Sequence, residues 1–176
     1  MRKVLFLGVI VCAWFTTCFA GSGTWVSYQA REFGGGQWEY TYEVANTGLL
    51  VNNQPAAIKE FTIWFDWGLY SNLVVTTAAP LSSAWDEIVW QPEPVLHDAG
   101  GYDALAELIN PGIAAGQSVK GFSVKFNWLG QGTPGSQRYE IINPDTAQTI
   151  DAGDTIIPEP ATLLLLGLGG LLLRRK

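Results

Sequence analysis

Three stretches of this chain place an aromatic or aliphatic side chain at every second position, and that period confines what the chain can fold into. Trp38, Tyr40, Tyr42 and Val44 interleave with Glu39, Thr41, Glu43 and Ala45. Phe61, Ile63, Phe65 and Trp67 interleave with Glu60, Thr62, Trp64 and Asp66, and Phe122, Val124, Phe126 and Trp128 with Ser123, Lys125 and Asn127. Successive side chains of a strand point to opposite faces, so each stretch reads as a strand with one buried and one wetted face. Further strands are expected at 24–32, 69–77, 85–90, 139–143 and 155–157, separated by turn-forming clusters such as Gly34-Gly35-Gly36, Asn46-Thr47-Gly48 and Asn143-Pro144-Asp145. Gly121 stands where a bulge can set register, and residues 104–110 are expected to form a helical turn or two before Pro111-Gly112. Seven or eight short strands with this spacing predict an all-β, antiparallel β-sandwich of immunoglobulin-like or jelly-roll-like form.

The two ends carry different signals. Arg2 and Lys3 precede an apolar stretch from Val4 to Phe15, and Cys18-Phe19-Ala20 offers a small-x-small cleavage site before Gly21. This is the arrangement of a secretory signal peptide over residues 1–20, with signal peptidase as its partner. Lipidation of Cys18 fits less well, because Phe15, Thr16 and Thr17 are not the small-residue lead-in it needs. At the other end Pro158-Glu159-Pro160 is followed by thirteen uncharged residues, Ala161 to Leu173, and then by Arg174, Arg175 and Lys176. Two prolines hold Glu159 in an extended step that a helix interior does not accept. The leucine-rich run favours hydrocarbon as a helix, yet at 1.5 Å per residue it covers about 20 Å against the roughly 30 Å of a bilayer core. A short C-terminal transmembrane helix is expected, its basic end inside and the bulk of the chain outside.

In order and spacing, Pro158-Glu159-Pro160, the leucine run that opens at Thr162-Leu163 and the Arg174-Arg175-Lys176 end resemble the PEP-CTERM protein-sorting signal. The resemblance implies a bacterial exported protein handled by exosortase, a membrane-embedded, cysteine transpeptidase-like enzyme often encoded with exopolysaccharide biosynthesis. It implies that Pro158, Glu159 and Pro160 are the recognition motif. The apolar run and the basic stop would then be removed or exchanged on delivery, so that anchoring is transient and the product lies at the cell surface or outside the cell. It covers only residues 158–176 and leaves 21–157 as a single cargo domain. Residues 110–142 are similar to the short sandwich domains common on PEP-CTERM cargo. No LPxTG sequence invites a sortase, and the basic terminus argues against a GPI signal.

Both cysteines, Cys12 and Cys18, lie in the signal segment, so the cargo must be held by a hydrophobic core, with neither disulfide nor thiolate metal site. Between 21 and 157 fifteen carboxylates face only Arg31, Lys59, Lys120, Lys125 and Arg138, a net charge of −10. That sign argues against nucleic acid as a partner.

Catalysis finds little support. His97 is the single histidine, and its neighbours Leu96 and Asp98 form no nucleophile motif, so an exposed loop histidine is expected. A paired-carboxylate glycosidase needs two acids about 5–9 Å apart across a cleft, which no spacing here predicts. No catalytic residue, metal or cofactor is assigned. Calcium is the one alternative, since Asp145, Asp151 and Asp154 are hard oxygen donors on a turn-rich segment, although their spacing is not that of an EF-hand and solvated acids are the plainer reading.

Seven of the eight tryptophans follow the signal segment. Trp38, Trp67 and Trp128 belong to apolar faces and are expected in the core. Trp64 falls on a polar face, and Trp85 and Trp90 frame Asp86 and Glu87. Exposed rings beside carboxylates are what sandwich modules use to stack on sugars, so Trp64, Trp85 and Trp90 are candidates for polysaccharide binding, the plainer reading being rings that fill the rim of the core. The function expected is that of an exported surface or extracellular-matrix protein with a structural or adhesive role. A lectin-like module is the alternative, and a secreted carbohydrate-active enzyme the next.

Overall fold

Alternation becomes pairing in the computed structural model, which describes residues 23–158. The expected signal peptide over 1–20, Glu159, Pro160, the apolar run 161–173 and the basic Arg174, Arg175 and Lys176 lie outside the described residues. Eleven strands follow in chain order: β1 (Thr24–Gly34), β2 (Gln37–Asn46), β3 (Leu50–Val51), β4 (Gln54–Pro55), β5 (Glu60–Phe65), β6 (Tyr70–Val75), β7 (Trp85–Trp90), β8 (Gly100–Ala106), β9 (Gln117–Trp128), β10 (Arg138–Asn143) and β11 (Gln148–Asp154). A four-stranded sheet, β1-β2-β9-β6, packs against a five-stranded sheet, β11-β10-β5-β8-β7, and β3 pairs with β4 as a small ribbon. All strand pairs are antiparallel. The all-β sandwich expectation stands, with more strands than the seven or eight anticipated.

The apolar halves of the alternating stretches meet between the sheets. Tyr40, Tyr42, Phe122, Val124 and Phe126 from one sheet face Phe61, Ile63, Phe65, Tyr102 and Ile141 from the other, all essentially without solvent contact. The core is unusually aromatic, and all six tyrosines of the chain are buried in it. Their hydroxyls need partners, because a buried polar group left unpaired costs about 1–3 kcal/mol. Tyr40 donates to the Gly135 carbonyl at 2.7 Å, Tyr42 donates to Gln137 Oε1 at 3.3 Å, and buried Gln137 donates through Nε2 to the Tyr70 hydroxyl at 3.3 Å. Gln137 is thus the polar hub of an otherwise apolar interior.

Gly121 makes the expected bulge. Phe122 pairs with Tyr42 and Lys120 with Glu43, so Gly121 is passed over, and its φ of 106° is a conformation that suits glycine. Phe122 and Tyr139 pack between the sheets as anticipated.

Four expectations are corrected. Residues 104–110 do not form a helix: Gly100–Ala106 is strand β8, paired on both sides, and only the segment after it turns. The apolar spacing of Ala104, Leu105 and Leu108 suggested a helix, but partners on both flanks prevail over local preference. Residues 155–157 contribute only an isolated parallel bridge between Ile156 and Ser27 in place of a strand. Trp67 leaves the core because β5 ends at Phe65 and the chain turns through Gly68 at φ 78°, which breaks the period before Trp67 and leaves it 43% exposed. Trp85 goes the other way and is 3% exposed, as the inward end of β7 between Phe61 and Phe122.

Candidate functional site

The outer face of the five-stranded sheet carries the arrangement that most resembles a binding surface, and strand register builds it. Across β5, β8 and β7, Trp64 is opposite Gly101 and Gly101 opposite Trp90; Thr62, Asp103 and Ile88 form the next row, and Glu60, Leu105 and Asp86 the third. All nine point away from the core, since Phe61, Ile63, Tyr102, Ala104 and Trp85 take the alternate, buried positions. An aromatic row thus lies about 7 Å along the strands from a polar row.

Gly101 is the reason the aromatic row has its shape. A Cβ at this position would lie 2.1 Å from Cζ2, 2.5 Å from Cε2 and 2.6 Å from Cη2 of Trp90, so the absent side chain leaves the space the indole occupies. Trp90 covers Gly101 and remains 36% exposed. Trp64, half-buried on the far side, meets Trp90 edge-on at 5.6 Å and 76°. Its Nε1 is buried with no acceptor among the described residues, so Trp64 supports Trp90 by packing and offers no polar contact of its own. Of the three tryptophans singled out from the sequence, the fold brings Trp64 and Trp90 together and sends Trp85 to the core.

Asp103 sits below this row. Thr62 Oγ1 donates to its Oδ1 at 2.5 Å. Burial pushes the Asp103 carboxyl above its ordinary value, the Thr62 bond works against that, and like charge on Asp86 adds to it. Glu60 is raised in the same direction, by burial first and by Asp103 second. These acids occupy a sheet face beside a flat ring, a geometry suited to stacking on a sugar and hydrogen-bonding its hydroxyls. Sequence reasoning missed both Gly101 and Asp103. Gly100-Gly101 reads as a turn and Asp103 belongs to none of the expected elements, and only recognising 100–106 as a strand would have put them on this face.

The remaining candidates disperse. His97 lies exposed in the loop before β8, with φ 59°, and stacks on Trp67 at 4.1 Å and 18°. Asp145 occupies the turn after β10, while Asp151 and Asp154 lie on β11, where Asp151 Oδ2 accepts from Thr24 Oγ1 at 2.6 Å. Among the described residues no group of three or more His, Cys, Asp or Glu gathers as a metal site. Pro158, the one residue of the tail motif that is described, lies exposed beside Tyr28, Gln29 and Ala30 of β1.

Comparison with known proteins adds two findings. Residues 157–176 match the PEP-CTERM protein-sorting motif, which implies an exported protein sorted by exosortase to the cell surface or extracellular space. Among solved structures, an uncharacterized protein from Nocardia farcinica with an immunoglobulin-like fold is similar at TM-score 0.52 and 18% identity, over 73% of this chain and 81% of that one. That likeness shows an immunoglobulin-like fold. A chitin-binding domain from Streptomyces coelicolor follows at TM-score 0.39 and 18% identity, over 66% of this chain and 90% of that one. An exo β-N-acetylglucosaminidase from Vibrio harveyi, at TM-score 0.37 and 10% identity, is covered over only 18% of its length by 78% of this chain. These two are too distant to inform function. No curated protein matches.

Proposed function

We propose that this chain, which carries a PEP-CTERM protein-sorting motif over residues 157–176, is a non-catalytic surface or extracellular-matrix protein with a structural or adhesive role. The tail match is the observation that carries the reading. Signal peptidase removes residues 1–20, the apolar run 161–173 arrests the chain in the membrane with Arg174, Arg175 and Lys176 inside, and exosortase acts at Pro158-Glu159-Pro160. Mass spectrometry of the C-terminus of protein recovered from the cell surface tests this: a terminus near Pro160 is expected, and an intact Arg174-Arg175-Lys176 end overturns processing.

The lectin-like alternative is favoured by one specific observation, the seating of exposed Trp90 on Gly101 above Asp103. In this reading Trp90 stacks on a sugar ring and Asp103 bonds a hydroxyl, while Trp85 plays no direct part. A glycan array comparing the parent with Trp90→Ala separates the two: binding lost in the variant supports the alternative, and no binding by the parent leaves the structural role.

A further inference from the structure

Exposed apolar side chains gather at both ends of the sandwich, and the direction of the tail distinguishes the ends. At the end where β5, β7 and β9 finish, exposed Trp67 stacks on His97, whose neighbours Val95 and Leu96 are exposed. Exposed Leu129 donates its backbone N–H to the carbonyl of exposed Leu69 at 2.9 Å, two residues from Trp67. Just below the β1–β2 turn at the same end, Phe33 is exposed beneath the charged groups of Arg31 and Lys125, 4.8 and 4.5 Å from its ring centre. Rings, aliphatic chains and flanking cations are the side chains that settle at a bilayer interface.

The described chain leaves the domain toward this end. Ile156 pairs parallel to Ser27, with Ile156 N donating to Val26 and Tyr28 N to Ile156, both at 2.9 Å, so the chain leaves alongside β1 and in its direction. Two residues on, Pro158 stands opposite Gln29, five residues or roughly 17 Å from the end of β1 at Gly34. The three residues from Pro158 to Ala161 can add at most about 11 Å, so a membrane anchor that opens at Ala161 keeps the domain close to the bilayer. The opposite end, where β1 starts at Thr24, lies roughly 17 Å from Pro158 against the direction in which the chain leaves. Leu50, Leu108 and Ile109 are exposed on that side.

We propose that, while the tail is in the membrane, the Trp67 end of the domain rests on the lipid bilayer, with Trp67, Leu69, Val95, Leu96 and Leu129 in the interface. The inference rests on the reading of 161–173 as a membrane anchor. Asp66, Glu93 and Asp98 border the patch, so its contact is apolar and independent of salt, whereas attraction between exposed charges would be screened.

The full chain, reconstituted into phosphatidylcholine vesicles doped with a phospholipid carrying a diazirine near its headgroup, tests the contact. Flotation of the vesicles comes first, and its loss on deleting 161–176 assigns anchoring to the tail. After illumination, mass spectrometry should find lipid adducts severalfold more often on Trp67, Leu69, Val95, Leu96 and Leu129 than on the more distant Leu50, Leu108 and Ile109, in low and high salt alike. Flotation with adducts equal at both ends, absent, or abolished by salt overturns the bilayer contact and leaves the anchor standing. Lipid adducts missing from these side chains, with two copies joined beside them by an added bifunctional crosslinker, would make a second copy the occupant and overturn it as well. A full chain that does not float, or floats without its tail, overturns the anchor reading and the contact with it.

Discussion

Replacing Gly101 by alanine probes the aromatic face with one methyl group. The new Cβ would lie 2.1, 2.5 and 2.6 Å from three carbons of the Trp90 indole, whereas carbon atoms settle at about 3.5–4.0 Å. The ring must therefore retreat by about 1.5 Å. Backbone strain does not confuse the result, because Gly101 is a strand residue paired with Trp64 and Trp90 and lies outside the left-handed region. Retreat opens the edge-on contact with Trp64, and such aromatic pairs contribute about 0.5–1.5 kcal/mol. If Trp90 stacks on a sugar with comparable energy, affinity falls about two- to twelvefold. The measurement is a titration of tryptophan fluorescence with whichever polysaccharide binds the parent on the array, alongside a thermal melt to confirm folding. Trp90→Ala, which removes the ring, should lose at least as much. A folded Gly101→Ala variant with unchanged emission and unchanged affinity refutes the idea that Gly101 seats the binding ring.

Four other outcomes follow from the same geometry. Asp103 has a folded-state carboxyl raised above 3.8, so the fold favours its protonated form and its contribution to stability declines as pH rises from 3.8 through the raised value; Asp103→Asn, which can still accept from Thr62, should melt at or above the parent at pH 7 and show a flatter decline, and a steeper one contradicts this. Burial raises the phenols of Tyr40, Tyr42 and Tyr102 above their ordinary 10.0, so stability falls once pH passes 10, and phenolate absorbance should appear together with cooperative unfolding; gradual titration of the folded protein near pH 10 is the contrary result. Tyr40→Phe removes the donor to Gly135, whose carbonyl keeps a bond from Gln137 Nε2, and the 3.3 Å contact with the Tyr70 hydroxyl, which also keeps a bond from Gln137 Nε2, so chemical denaturation should show a loss of about 1–3 kcal/mol, and an unchanged midpoint would refute it. Gly121→Ala meets Leu81 only at an ordinary 3.7 Å but must hold φ 106°, so its cost of about 1–2 kcal/mol is backbone strain, and an unchanged denaturation midpoint would dismiss the bulge as a constraint.

The sandwich was legible because Trp38 to Val44, Phe61 to Phe65 and Phe122 to Trp128 face water on one side only, and a half-buried strand writes its period into the residue types. Strand β8 was not, because Gly100-Gly101 imitates a turn and Ala104-Leu105 imitates a helix; its identity comes from β5 and β7 on its flanks, and no local signal carries that. The same blindness hid the candidate face. Trp64 and Trp90 are twenty-six positions apart and become neighbours only through Gly101, and Trp85 looked equivalent to Trp90 although their opposite parity on β7 sends one inward and the other out. The sorting motif at 157–176 was legible, because such a signal is read as a linear sequence and needs no fold to assemble it.

If the protein is held by its C-terminal end, as proposed, the parallel bridge between Ile156 and β1 has a mechanical meaning. A pull on the chain in its direction of exit acts along β1, since the exit segment lies beside it and runs the same way. Both hydrogen bonds of the bridge, Ile156 N to Val26 and Tyr28 N to Ile156, then bear load together in shear. A segment leaving antiparallel would be bent back on itself and unzipped one bond at a time. Tension applied there is therefore shared across the adjoining strand before reaching the Thr155 N to Gln137 bond and the aromatic core behind it.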